Sequence, residues 1–200
     1  MPSSRKERSA ETEQALKDAA RRLFAERGYL NTKITDITAA AGRAAGSFYN
    51  HFASKEEILQ ALLGDLAAAG DERAEESGHS PDFSDPDAVR YHIAGYWNFA
   101  REHAPVLRAV YQAALVNDEF AHMVAGFGVR QRADIADHVA GFAEQGLRLP
   151  STDDASLAMM FLLTQSLLTA VEEGGVELTD EQAVDGLTRF VYRGLTGRDY

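Results

Sequence analysis

Hydrophobic positions along this chain recur at helical spacing almost from end to end. A first helix is expected over residues 10–27, with Ser9 as its cap and Leu16, Ala20, Leu23 and Phe24 as its apolar stripe. Ile34, Ile37, Ala40 and Ala41 make a shorter stripe, which Thr32 would cap and Gly42 would end. A third helix, over 44–51, turns Phe48 and Phe52 inward at i, i+4 and leaves Ser47, Tyr49, Asn50 and His51 outward. Ser54 and Glu57 form a capping box for a long helix over 55–76 that carries Ile58, Leu59, Leu62 and Leu66.

The turn-rich stretch 76–87 reads as a loop, with Asp85 and Pro86 starting the next helix. That helix carries Val89, Ile93, Tyr96, Trp97 and Ala100. After Pro105, Leu107, Val110, Tyr111, Ala114 and Leu115 share one side. Helical patterning continues over 118–144, interrupted or bent at Gly126 and Gly128. Residues 152–173 are apolar nearly all round, the pattern of a helix covered on more than one side. Thr179 and Gln182 make another capping box, opening a helix with Val184, Leu187, Phe190, Val191 and Leu195. The expected fold is all-α: a three-helix helix-turn-helix domain over 1–54, joined by a long helix to a second helical domain within 55–200.

The stretch 32–52, TKITDITAAAGRAAGSFYNHF, bears most directly on function. Its second helix is too short to be stable alone, so packing must hold it. A propped helix with a small, polar outer face suits insertion into a DNA major groove. The wider run GYLNTKITDITAAAGRAAGSFYNHFASKEEIL resembles the helix-turn-helix of the TetR family of transcriptional regulators. The matching positions are Gly28-Tyr29, Thr32, Ile37, Ala41-Gly42, Gly46, Phe48-Tyr49, Phe52 and Ser54-Lys55-Glu56-Glu57. Two positions depart from the pattern. Arg43 stands where a small aliphatic is usual, and Ala44 stands where Ser or Thr caps the recognition helix. The missing cap costs about 1 kcal/mol.

A net charge of −11 looks wrong for a DNA binder, but it is unevenly spread. Residues 1–60 hold ten Lys/Arg against eight Asp/Glu, and all four lysines; residues 61–200 hold ten against twenty-three. Phosphate attraction is local, so the near-neutral first part can meet DNA while the acidic remainder stays solvated. Residues 1–8 read as a flexible tail whose Arg5, Lys6 and Arg8 would reach phosphate or minor groove, or simply be solvated. The chain has no cysteine, which excludes disulfides and thiolate metal sites. The run 157–163 is too short to span a bilayer and no signal peptide is visible, so a cytoplasmic, membrane-free protein is expected.

Enzyme motifs are missing. Glu119-x-x-His122 has the i, i+3 spacing of di-iron bundles but no second copy. The six histidines lack metal spacing, and there is no H-E-x-x-H, P-loop or dinucleotide fingerprint. Gly46-Ser47-Phe48 lacks the strand that a nucleophile elbow needs. No metal, cofactor or catalysis is expected.

In the DNA reading, Tyr49, His51, Lys55 and the backbone near Thr32 and Lys33 would meet phosphate. Arg43, Ala45, Ser47 and Asn50 would lie nearest base edges, with Gly46 allowing close approach. The resemblance also implies a small-molecule effector in the second domain and a homodimer built on the last two helices. Tyr96, Trp97, Tyr111, Phe142, Met159 and Phe161, with Gln112, His138, Gln165 and His92 as polar anchors, are the candidate lining for a small, mainly apolar effector; each is alternatively core. The expected function is a dimeric, effector-released repressor on a double-stranded DNA operator. The alternatives are an activator, a ligand-independent DNA binder, or a helical protein-interaction module without DNA binding.

Overall fold

The structure, a computed structural model, describes residues 4–75 and 80–199, with the backbone alone for 69–75. In chain order the helices are α1 (Arg5–Arg27), α2 (Ile34–Ala40), α3 (Ala45–Tyr49), α4 (Lys55–Glu75), α5 (Pro86–Glu102), α6 (Ala104–Ala114), α7 (Asp118–Ala133), α8 (Asp153–Glu172) and α9 (Asp180–Thr196). A 3-10 turn, Ala136–Val139, follows α7. No strand occurs among the described residues. The chain forms two compact units: Met1–Glu75 with His103–Val124, and Glu76–Glu102 with Ala125–Tyr200. Packing thus gathers α4 and α6 with the helix-turn-helix in unit 1.

In unit 1 the expected stripe of α1 is buried: Leu16, Ala20, Leu23 and Phe24, with Ala19 beside them. The helix begins earlier than the stripe indicates. Ser4 caps it, accepting from Glu7 N–H while Glu7 accepts from Ser4 N–H. Residues 5–8 are therefore its first turn and not a tail; residues 1–3 lie outside the described residues. Ile37, Phe48, Phe52, Ile58, Leu59 and Leu62 complete this core. The face of α6 differs from the expected one. Val106, Ala109, Val110 and Ala113 are buried, while Leu115 and Tyr111 are exposed. Val110 is common to both faces; otherwise the buried face is rotated onto Val106, Ala109 and Ala113, whose small side chains suit close packing on α1 and α4, and away from Tyr111 and Leu115.

In unit 2, α5 packs on α8 and α9 through Ala88, Val89, Ile93, Trp97 and Ala100. Asp85 accepts from Asp87 N–H at 2.9 Å, so α5 starts where Asp85-Pro86 predicts. The first part of the expected loop, 76–79, lies outside the described residues. α7 runs through Gly126 and Gly128 without interruption and stops at Ala133, short of the expected 144. The 3-10 turn beyond it buries His138 and Val139. α9 has the expected capping box of Thr179 and Gln182, and α8 is capped by Thr152, which accepts from Ala155 N–H.

α8 buries one face within unit 2, through Ser156, Leu157, Met160, Thr164 and Leu168. Its other face is apolar and open, with Met159 at 52% and Leu162 at 66% exposure; on α9, Phe190 is 69% exposed. By length and composition alone α8 is long and apolar enough to cross a membrane. The run 157–163 by itself undercounted it.

Trp97 is fully buried, and its indole N–H donates to the Asp180 carboxylate at 3.0 Å. The same oxygen pairs with Arg101. Asp180 is the first residue of α9, where a carboxylate also suits the helix dipole. Asp180→Ala strands the indole N–H and should cost about 1–3 kcal/mol. Urea unfolding followed by the fluorescence of Trp97, the chain's one tryptophan, measures this.

Candidate functional site

The expected DNA face lies in unit 1, on α2, α3 and the segments that flank them. α2 ends at Ala40, and Gly42 turns the chain at φ +64°, a conformation that favours glycine. α3 is only five residues long, and its N-cap Ala44 makes no side-chain cap bond, as the sequence implies. Phe48 anchors it, with its ring centroid 5.7 Å from that of Phe52. With the inner side so committed, Arg43, Ala45, Gly46, Tyr49 and Asn50 are exposed, Tyr49 at 61%. Lys33 is exposed at the start of α2.

The other four DNA candidates sit differently. Ser47 is half-buried. His51 is largely covered, with Nδ1 3.7 Å from Glu13 on α1. Thr32 is buried and does not cap α2: its hydroxyl donates to Gly28 O at 2.8 Å. Lys33 holds the N-cap position instead, and Asp36 accepts from its N–H at 3.0 Å. Lys55 points inward. Its ammonium donates to Tyr29 O at 2.9 Å and Thr32 O at 3.0 Å and lies 4.0 Å from the Tyr29 ring centroid. A phosphate contact would require it to leave those carbonyls.

These bonds belong to one corner between α1 and α2. Tyr29 is buried, and its hydroxyl donates to Glu56 at 2.6 Å. From α6, Gln112 Oε1 accepts from Tyr29 N–H at 2.7 Å. Burial, with the adjoining Glu56, raises the Tyr29 phenol above its ordinary range. Burial lowers the Lys55 ammonium, and the charge of Glu56 opposes that. For Glu56, burial works against the charge, but the bonds from Tyr29, its own backbone and Ser54, with the Lys55 charge, together hold it below its ordinary value. The expected capping box at α4 is half formed. Ser54 accepts from Glu57 N–H, while Glu57 takes the N–H of Ala53 and not that of Ser54. Nothing in the sequence pattern marked Glu56 or Gln112 as partners of Tyr29, because their contacts cross 27 and 83 residues.

The effector candidates do not form one group. Tyr111 and Gln112 lie in unit 1 and the others in unit 2. Trp97 is tied into the core by Asp180, and Phe142 is buried. Met159 is exposed on α8. Tyr96, Phe161 and Gln165 do come together: Tyr96 donates to Gln165 at 2.8 Å, and its ring lies edge-on 5.4 Å from Phe161. His138 and His92 form a separate cluster with Phe83, their Nε2 atoms 3.1 Å apart, and Asp137 lies 2.7 Å from His138 Nδ1. Among the described residues no group of three or more His, Cys, Asp or Glu is placed to hold a metal ion.

Residues 16–62 match the family described as bacterial regulatory proteins, tetR family. The chain is 41% identical over 81 residues to the HTH-type transcriptional regulator TtgR of Pseudomonas putida, covering 40% of this chain and 38% of that one. It thus spans well under half the length of the first curated relatives it matches. Across 189 residues it is 26% identical to the HTH-type transcriptional regulator EthR of Mycolicibacterium smegmatis, covering 92% of this chain and 86% of that one. Its fold is similar to a TetR-like transcriptional regulator from Rhodococcus sp. RHA1, with TM-score 0.72 at 23% identity over 94% of this chain and 97% of that one.

The lowered Glu56 carboxyl gives a pH dependence of defined sign. Its contribution to stability is complete above the ordinary value of 4.5 and is lost as pH falls through the lowered folded-state value. Glu56→Gln should therefore be less stable than wild type at neutral pH, and the difference should shrink as pH falls below about 4.5. Urea titrations at a series of pH values measure it.

Proposed function

We propose, on the premise that this chain belongs to the TetR family of bacterial regulatory proteins, that it is a dimeric, sequence-specific DNA-binding repressor released from its operator by a small, mainly apolar effector. One observation carries the reading. A five-residue helix spends its inner side on Phe48 and leaves Arg43, Ala45, Gly46, Tyr49 and Asn50 together in solvent. A helix that buries so little has no structural need for that outer surface. A β-carbon at Gly46 would meet nothing of this chain within 4 Å, so the fold does not require glycine there. Close approach of a DNA backbone does.

Arg43 would reach guanine O6 and N7, and Asn50 would pair with adenine. Lys33 and Tyr49 would hold phosphate. In this division of labour, 1–54 binds DNA, and 55–200 binds effector and dimerises. The open apolar faces of α8 and α9, with Met159, Leu162 and Phe190, support a two-fold partner there. Two recognition helices about 34–36 Å apart would then read successive major grooves. The Tyr96–Phe161–Gln165 group supplies an apolar wall with a polar anchor for the effector. An effector that prefers the DNA-free arrangement lowers operator affinity by shifting the population. A cytoplasmic location goes with this role.

Selection of bound duplexes from a random pool is the direct experiment. It should return a two-fold symmetric sequence; recovery of no enriched sequence would overturn the proposal. On the selected duplex, Arg43→Ala should cost about 1–3 kcal/mol and relax preference at one position, while Lys33→Ala should weaken all duplexes alike and reduce the salt slope by about 1. Gly46→Ala separates function from folding. It should leave stability unchanged or raise it by up to about 1 kcal/mol, and should weaken DNA binding.

A further inference from the structure

Gln112 lies on the DNA-domain side of the fold, among bonds that no effector contact would explain. Gly28 ends α1 at φ +79°, so the N–H of Tyr29 falls beyond the reach of the α1 carbonyl ladder. Gln112 Oε1 accepts that N–H at 2.7 Å. The approach is close enough that a β-carbon on Gly28 would sit 3.0 Å from Gln112 Oε1 and 3.2 Å from Nε2. Glycine at 28 therefore serves both the turn and this contact. Five residues span 28–32; Thr32 N–H donates to Tyr29 O at 3.2 Å and its hydroxyl to Gly28 O within the run, and further bonds come from two helices. α6 takes the N–H of Tyr29; α4 takes Tyr29 O and Thr32 O through Lys55, and the phenol through Glu56. Lys33, the N-cap of α2, follows directly. The corner that aims α2 is thus fixed by side chains and not by a helix of its own.

We propose that Gln112 is a positioning residue for DNA binding: its bond to Tyr29 N–H sets the corner that aims Lys33 and α2, so that α6 acts on the DNA face through this contact. The proposal rests on the DNA-binding reading. Gln112 never touches DNA. Its loss lets the 28–32 corner rotate about the Lys55 bonds, and so loosens the phosphate contact of Lys33 while leaving that residue in place.

The test uses the full chain, the selected duplex and a scrambled duplex of equal length. Gln112→Met keeps the length of the side chain but removes the acceptor; Gln112→Glu keeps an acceptor. Lys17→Met is the control for lost stability, because it breaks the Lys17–Asp65 pair between α1 and α4, away from the corner. All are compared at a temperature where circular dichroism shows them folded. Gln112→Met should speed hydrogen exchange at the Tyr29 amide and weaken binding to the selected duplex by about three- to tenfold, with the slope against salt lowered by no more than the roughly 1 lost in Lys33→Ala. Gln112→Glu should restore binding to within about twofold, and Lys17→Met should bind as wild type. Wild-type affinity in Gln112→Met despite faster Tyr29 exchange would overturn the proposal, as would an equal loss in Lys17→Met. If the wild type binds neither duplex, the DNA-binding reading itself fails. If the wild type binds and Gln112→Met is unaffected, the positioning role alone fails.

Discussion

The hydrogen bonds at the α1–α2 corner are the constraint on which unit 1 depends. A recognition helix of five residues has almost no stability of its own and no capping side chain. Its orientation must come from what it rests on. One support is the Phe48–Phe52 contact in the core. The other is α2, whose start is set by residues 28–32. That short run leaves backbone groups no regular element can satisfy, and buried backbone groups without partners are costly. Lys55, Glu56 and Gln112 supply partners or lock the phenol in place. On the proposed reading, the atoms that meet this folding requirement also aim the DNA face.

This arrangement explains why the side chain of Lys55, expected at phosphate, is turned inward while Lys33, whose backbone was expected there, keeps its side chain exposed. Lys33 is exposed at the start of α2. Lys55 is placed over a buried ring and two carbonyls, where its charge is useful to the fold. A lysine at a helix start reads as an anion site from sequence because the helix dipole and free amides are local properties. Whether its side chain turns outward or inward depends on groups 23 and 26 residues away. Such partners leave no trace in local pattern.

The same distinction separates what was legible elsewhere. The all-α class, the caps at Thr179 and Asp85, the turn at Gly42 and the inward Phe48 follow from spacing and local chemistry, and the structure has them. The start of α1 at Ser4 was equally local but hidden by a basic stretch that resembles a tail. The buried face of α6 is only partly legible: Val110 follows from the spacing, while Val106, Ala109 and Ala113 do not stand out beside the larger Tyr111 and Leu115. The candidate effector lining was least legible. Aromatic side chains at helical spacing occupy core, surface and pocket alike. Trp97 proved to be bonded into the core and Met159 to lie on the surface. Only the Tyr96–Phe161–Gln165 contact gathers three of the candidates through direct bonds.

The outer surface of α3 is the part of the chain proposed to meet a duplex. Amide chemical-shift mapping of the full chain during titration with the selected duplex addresses this most directly. The largest perturbations should fall at Lys33 and across residues 43–50, with the Gly28–Thr32 amides keeping their protection from exchange. Perturbations confined to unit 2, or absent from residues 43–50 while the duplex is bound, would contradict the account.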